Sequence, residues 1–306
     1  MSAIDALPGR LAGLVTALLA SREPVQIVFD SDVPFDLIAR VCRECAAPVS
    51  PVAARREQTA IREVTTGASR GYLTTSSAPL PGAAEILRFD GITPHQSPAL
   101  AAKIQAILDE VWRAGIELPS LAVWPGGQRL PAGSRLQPGR ALADLRDLGL
   151  GEEVAACLDG PDGGLPHVLR RPCADVIGSW QQLRGRASVG AVVAAPLPSH
   201  PTLSIHTARG LAALLGVEYA GELTGNRPPA DVEEPASRVR RLASQLRLDP
   251  ALVDVGKVAG RHVLLVGLRW TEGWTMTVSG QLLLSAGALS VRPFTLSSDS
   301  RREPRR

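Results

Sequence analysis

What most constrains this chain is the alternation that sets in after residue 188. VGAVVAAPLPS at 189–199 is a run of small and branched apolar residues ending in a Pro-Ser loop. TARGLAALLGV follows as a helix and VEYAGEL as a strand. PASRVRRLASQLRL is then a helix, HVLLVGL a strand, WTMTVSGQLLLSAGA a helix and SVRPFTL a last strand. Strands that are apolar throughout are buried on both faces, and strands that alternate with helices are joined by crossovers. Residues 186–300 therefore read as an α/β domain with a mostly parallel sheet covered on both sides.

Within it, VLLVGLRWTEGWTMT at 263–277 carries the chemistry. A buried strand enters a loop with Thr271, Gly273, Trp274 and Thr275, then an apolar helix. Such corners present backbone N–H groups and hydroxyls to a phosphate. Glu272 sets a negative charge in the same loop and opposes an anion at close range. Trp270 and Trp274 flank it and offer faces on which a base stacks.

The N-terminal half is organised differently. Residues 8–48 read as helix, short strand (25–29) and helix, and 51–66 has helical spacing through Val52, Ile61 and Val64. Residues 74–100, rich in Thr, Ser, Pro and Gly, form a natural boundary. Residues 98–115 form an amphipathic helix with Leu100, Ile104, Ile107, Leu108 and Val111 on one side. Proline and glycine punctuate 119–165, and another helix covers 167–184. The expected plan is a smaller, mainly helical domain at 1–97, a helical and loop-rich connecting region at 98–185, the α/β domain at 186–300 and the basic tail RREPRR at 301–306.

Composition narrows the setting. With 306 residues, 45% hydrophobic and 21% charged, the chain has a core to bury and is neither disordered nor fibrous. LAGLVTALLA at 11–20 is about half the ~20 residues a membrane span needs, and Asp5 is the only charge before Arg10, so no basic leader marks a signal peptide. Four cysteines, at 42, 45, 157 and 173, are too few for a disulfide scaffold. The expected location is a reducing cytoplasm, with no membrane partner. The net charge is +3, and Lys103 and Lys257 are the only lysines. Arginine forks match phosphate geometry, although GC-rich codon usage yields the same composition. Aromatic content of 4% is thin for stacking bases on several rings.

The strand and loop at 263–275 resemble the phosphoribosyltransferase motif, in which four apolar residues and two acids precede a loop ending in Thr-Gly-x-Thr. VLLV, the spacing to GWTMTV, then LL and AGA are similar to the C-terminal domain of actinobacterial RecQ-type DNA helicases, where the strand ends in Asp-Asp. The resemblance extends through WPGG at 124–127, QPGRALADLRDLGLG at 137–151, RREQTAIREVTTGASRGYL at 55–73 and PGAAEILRFDGI at 81–92. It covers about residues 8–299. It implies a phosphoribosyltransferase-like α/β domain preceded by a degenerate winged-helix and zinc module. The zinc-ligand positions are held by Ala68, Ile86, Phe89 and Ile92, which cannot coordinate a metal, so a small apolar cluster is expected there instead. Arg88 and Asp90 remain in place.

The chain departs from the family where catalysis resides. No G-x-x-x-x-G-K-[ST] loop is present, so the sequence carries no ATP motor and corresponds to the family's non-motor half. The paired acids, which in such enzymes hold ribose hydroxyls as the ring gains positive charge, are replaced by Gly267 and Leu268. No catalytic residue, metal or cofactor is expected. Cys42 and Cys45 form a C-x-x-C with no second pair to complete a metal site, and read as buried apolar groups. Of the histidines at 95, 167, 200, 206 and 262, His200 and His206 lie with Ser199 and Ser204 after the first strand of the α/β domain, as solvated residues or phosphate contacts. Arg238, Arg240, Arg241 and Arg247 form a basic stripe in PASRVRRLASQLRL, with Arg240 and Arg247 seven residues apart and suited to DNA phosphates. The expected function is that of a catalytically inactive RecQ-like accessory protein binding DNA or a protein partner such as a DNA-repair protein. The alternative is a nucleotide- or sugar-phosphate-binding protein that uses 271–275.

Overall fold

The computed structural model describes residues 2–21, 24–29, 35–45, 61–66, 69–74, 78, 80, 83–94, 97–180, 183, 188–225 and 234–299. The chain divides into two compact units, one of residues 1–111 with 146–153 and one of 112–145 with 154–306.

The first unit begins with α1 (Ala3–Ala20), capped by the Ser2 hydroxyl, which accepts the Asp5 N–H. The cap carries the helix well beyond the apolar run at 11–20, to 18 residues, a length at which its composition passes for a membrane span. Its stripe of Leu7, Leu11, Leu14, Val15 and Leu18 is instead buried in the core of the unit. β1 (Val25–Val28) and α2 (Phe35–Cys45) follow, then β2 (Ile61–Thr66), β3 (Ser69–Thr74), β4 (Glu85–Arg88), a 3-10 turn at Phe89–Gly91 and α3 (Pro98–Ala114). The strands form one sheet in the order β2-β3-β1-β4, with β1 parallel to both neighbours and β2 antiparallel to β3. β1 is buried on both faces. Its Gln26 carboxamide is satisfied internally, donating to the Ala78 carbonyl at 2.9 Å and accepting the Leu80 N–H at 2.8 Å.

The expectation of a mainly helical domain at 1–97 is therefore corrected. Residues 61–66, assigned a helical period, are a strand paired antiparallel with β3, in keeping with the β-branched Ile61, Val64, Thr65 and Thr66. Residues 51–60 lie outside the described residues. The proposed boundary at 74–100 contains β4, which pairs with β1. Parallel ladders on both sides of β1 require crossovers and are not the product of a hairpin wing.

The second unit is built on a sheet of six strands. β5 (Ile116–Leu118) and β6 (Gly139–Asp144) precede α4 (Leu150–Asp159) and α5 (His167–Ser179). After them come β7 (Val189–Ala194), α6 (Pro201–Leu215), β8 (Glu218–Glu222), α7 (Pro235–Gln245), α8 (Val255–Val258), β9 (His262–Trp270), α9 (Trp274–Ser285) and β10 (Ser290–Ser298). The order is β5-β6-β10-β9-β7-β8, all parallel except β5. The chain is thus α/β with mostly parallel sheets, and from residue 189 onward the elements follow the alternation read from the sequence.

The region 98–185 is not a connector. α3 belongs for most of its length to the first unit, while β5 and β6 enter the sheet of the second. β6 was illegible because GRALAD contains no β-branched or aromatic residue to mark a strand. It sits beside β10 since Gly139 lets the backbones meet: a Cβ there would lie 2.3 Å from the Pro293 carbonyl oxygen.

The path of the chain through this sheet locates a site. From β7 it moves outward to β8, whereas from β9 it moves the other way to β10. Right-handed crossovers in opposite directions place α6 and α9 on opposite faces. The carboxyl ends of β7 and β9, where the direction reverses, flank the crevice in which doubly wound sheets bind ligands. α9 is buried around most of its girth. Met276 and Leu283 join the main core, and Val278, Leu282 and Trp274 pack with Val239, Leu242 and Leu246 in a second cluster.

Candidate functional site

Two helices start at this end of the sheet, α6 after β7 and α9 after β9, and each directs the N–H groups of its first turn toward it. At α9, Gly273 makes the turn with φ 79° and ψ −1°. Its α-carbon lies on the buried Trp270 indole, and an added Cβ would be 2.4 Å from that ring. The Gly273 carbonyl accepts both the N–H and the hydroxyl of Thr277, each at 2.9 Å. Thr271 is exposed and Thr275 half-buried. Trp274 stacks on Trp124, with centroids 5.5 Å apart and planes inclined by 23°. Only one of the two flanking tryptophans, Trp274, is thus partly open to solvent, and it belongs to a packed pair.

The strand that feeds this loop leaves no open space at Gly267 and Leu268, the positions where the resemblance would place two acids. Leu268 is 2% exposed. A Cβ on Gly267 would lie 2.6 Å from the Met276 sulfur, so the thioether of α9 fills that position. Glu272 brings a carboxylate to the loop and is held by Arg238 of α7, Oε2 to Nη1 at 2.9 Å.

At α6 the same thing happens with another acid. His200 is the N-cap but makes no side-chain capping bond. Asp162 supplies the cap from 40 residues away, its two oxygens accepting the N–H groups of Thr202 and Leu203 at 3.0 Å each. Burial pushes the Asp162 carboxyl up, but the hydrogen bonds from Thr202 and Leu203 and the nearby His200 outweigh it and hold the group below the usual range. His200 bonds through Nε2 to the Gly160 carbonyl and through Nδ1 to the Ser199 hydroxyl, both at 3.0 Å. His206 accepts the Leu165 N–H at Nδ1, 3.1 Å. Ser204 is buried and donates to the Ala195 carbonyl at 2.8 Å. These four residues thus bind the chain to itself.

The arginine stripe does not hold as read. α7 ends at Gln245, so Arg247 lies beyond the helix and cannot share a helical face with Arg240. Its backbone pairs with Thr224, and its Nη1 donates to the Leu246 carbonyl at 2.8 Å. Arg238 is engaged by Glu272 and Arg241 is half-buried, while Arg240 and Arg247 are exposed.

Of the positions that the resemblance assigns to zinc ligands, Ile86 and Ile92 line one pocket with Gly13, Thr16 and Pro94, and Phe89 packs in an aromatic cluster. Phe89 is buried and stacks on Phe29 at 4.8 Å, with the Arg10 guanidinium 4.5 Å over its ring and Asp90 paired to Arg10. Ile86 stands 42% exposed on β4, apart from that aromatic cluster, and Ala68 lies outside the described residues. Burial pushes the Cys42 thiol up to about 12 and the Cys45 thiol up as well, which disfavours the thiolates that metal or redox chemistry needs.

Sequence reading missed Asp162, the Glu272–Arg238 pair and the Trp124–Trp274 stack. A signal for the first existed: α6 opens at Pro201 with His200, not Ser, Thr, Asp or Asn, at its N-cap position, so the cap had to come from elsewhere. A comparison with models of known protein families finds none that matches this chain, and a comparison with curated proteins finds no match either.

Proposed function

We propose that the chain is a catalytically inactive RecQ-like accessory protein, its second unit a phosphoribosyltransferase-like domain that serves as a scaffold for binding DNA. The observation that supports the loss of catalysis is at α6: Asp162 accepts the N–H groups of Thr202 and Leu203, so the helix start that would favour an anion already holds one of the chain's own. Glu272, just before α9, makes no capping bond and pairs with Arg238. A phosphorylated substrate would have to displace Asp162 and would meet the Glu272 charge, and the positions that the resemblance gives to ribose-holding acids are Gly267 and Leu268. DNA fits the surface chemistry better than a small phosphate does, since Arg240 and Arg247 are exposed on the second unit and arginine supplies nearly all the positive charge.

Fluorescence anisotropy with labelled single-stranded and duplex DNA tests this. Binding is expected to weaken steeply with salt, and Arg240→Glu with Arg247→Glu to weaken it further. Absence of binding at low salt defeats the DNA reading and leaves a protein partner as the ligand. The second reading, a nucleotide- or sugar-phosphate-binding protein using Thr271, Gly273, Trp274 and Thr275, is favoured by the place of that loop at the reversal point of the sheet. Phosphoribosyl pyrophosphate raising the melting temperature would decide for it.

A further inference from the structure

The segment Gly160–Leu165 (GPDGGL) joins α4 to α5 and is tied down along its length. Just before it, Asp159 pairs with Arg269 near the end of β9 at 3.2 Å. The Gly160 carbonyl accepts from His200, Asp162 caps α6, and the Leu165 N–H donates to His206 Nδ1. Arg170 donates to the Leu165 carbonyl at 3.3 Å. The segment therefore runs from the end of β9 to the first two turns of α6, across the carboxyl ends of β7 and β9. Three of its six residues are glycine, so the backbone orders at high entropic cost and depends on its ties.

We infer that Gly160–Leu165 is an acid-released strap over the carboxyl ends of β7 and β9, latched by His206. The latch resides in one nitrogen. Nδ1 accepts the Leu165 N–H only while it carries no proton, and a proton there sets one donor against another. Histidine is the side chain that changes charge between about pH 5 and 8. The other ties survive that change. Asp162, held below the usual carboxylate range, stays ionised. A protonated His200 still donates from Nε2 to Gly160, and the Ser199 hydroxyl turns from donor to acceptor at Nδ1.

The titratable and charged groups on the segments that meet His206 include Asp162 on the strap, His167 and Arg170 on α5, and His200 and Arg209 on α6. Arg209 lies over the Tyr219 ring, 5.1 Å from its centroid. Acid therefore releases the Leu165 end and leaves the Asp162 end attached. This inference is independent of whether the chain binds DNA.

Residue-resolved amide exchange on the full chain, corrected for intrinsic rates, tests the latch between about pH 8 and about pH 5.5. The Leu165 amide should lose about tenfold in protection on acidification, the contribution of a single hydrogen bond, while the Thr202 and Leu203 amides keep theirs. His206→Ala, at an exposed helical position, should leave Leu165 unprotected at both pH values. Protection of Leu165 that persists in acid overturns the inference. So does its loss together with Thr202 and Leu203, or an acid-dependent loss that survives in His206→Ala.

Discussion

Gly273 is the residue on which the β9–α9 corner turns, and its role is structural whatever the loop binds. At φ 79° a β-branched residue is strained, and its Cβ would strike a Trp270 ring that is 4% exposed and cannot retreat. Gly273→Val is expected to cost about 3 kcal/mol or more, read from the urea midpoint. Leu268, buried beside it in sequence, contributes about 1.5–3 kcal/mol by leaving water. Introducing acids through Gly267→Asp with Leu268→Asp removes that burial, presses on Met276 and places an unpaired charge in the sheet. The expected loss is about 4 kcal/mol or more, with no transferase turnover gained. A double variant of wild-type stability, or one that turns over phosphoribosyl pyrophosphate, would show that the acid positions are still open. The residues that surround Gly267 and Leu268 were not legible beforehand, because a strand pattern reports that a position is buried and not which helix residue meets it.

Among elements, α7 and α9 hold each other through a cluster separate from the main core, and Trp124 closes it by stacking on Trp274. Trp274→Ala should destabilise by about 2–3 kcal/mol, less than for a fully buried tryptophan because the ring is half-exposed. In a double-mutant cycle with Trp124→Ala, a coupling of about 0.5–1.5 kcal/mol is expected from the stack itself. Additive single-variant effects would mean that each ring packs alone. By contrast, the Glu272–Arg238 pair contributes little, about 1 kcal/mol or less, since both side chains are partly in water. The helix–helix cluster was half legible: the apolar spacing of α9 announced buried residues on more than one side, but nothing in it pointed to Trp124, some 150 positions away.

Over the whole molecule, chain order and spatial order part company. Residues 146–153 return to the first unit, and β6 sits next to β10 in the sheet of the second. A fragment cut at the boundary drawn from sequence, 186–306, lacks β5 and β6 and leaves β10 as a bare edge. Such an edge pairs with other chains. The fragment is expected to be insoluble or aggregated on size exclusion, whereas the full chain elutes as a discrete species. A soluble, cooperatively melting 186–306 would show that β6 is dispensable.

Sequence alone determined the α/β class, the succession of elements after residue 188, the turn at Gly273 and the absence of carboxylates at 267 and 268. These follow from local properties: apolar period, glycine's left-handed freedom and the identity of residues at the end of a strand. The tertiary structure decided that 61–66 and 139–144 are strands, that Arg247 leaves the helical face, that Asp162 caps α6 and that Glu272 pairs with Arg238. Each of these depends on a partner distant in sequence, or on a neighbour that makes an extended backbone cheaper than a helical one. Propensity carries no record of either, because the free energy that selects the outcome arises only when the two segments meet.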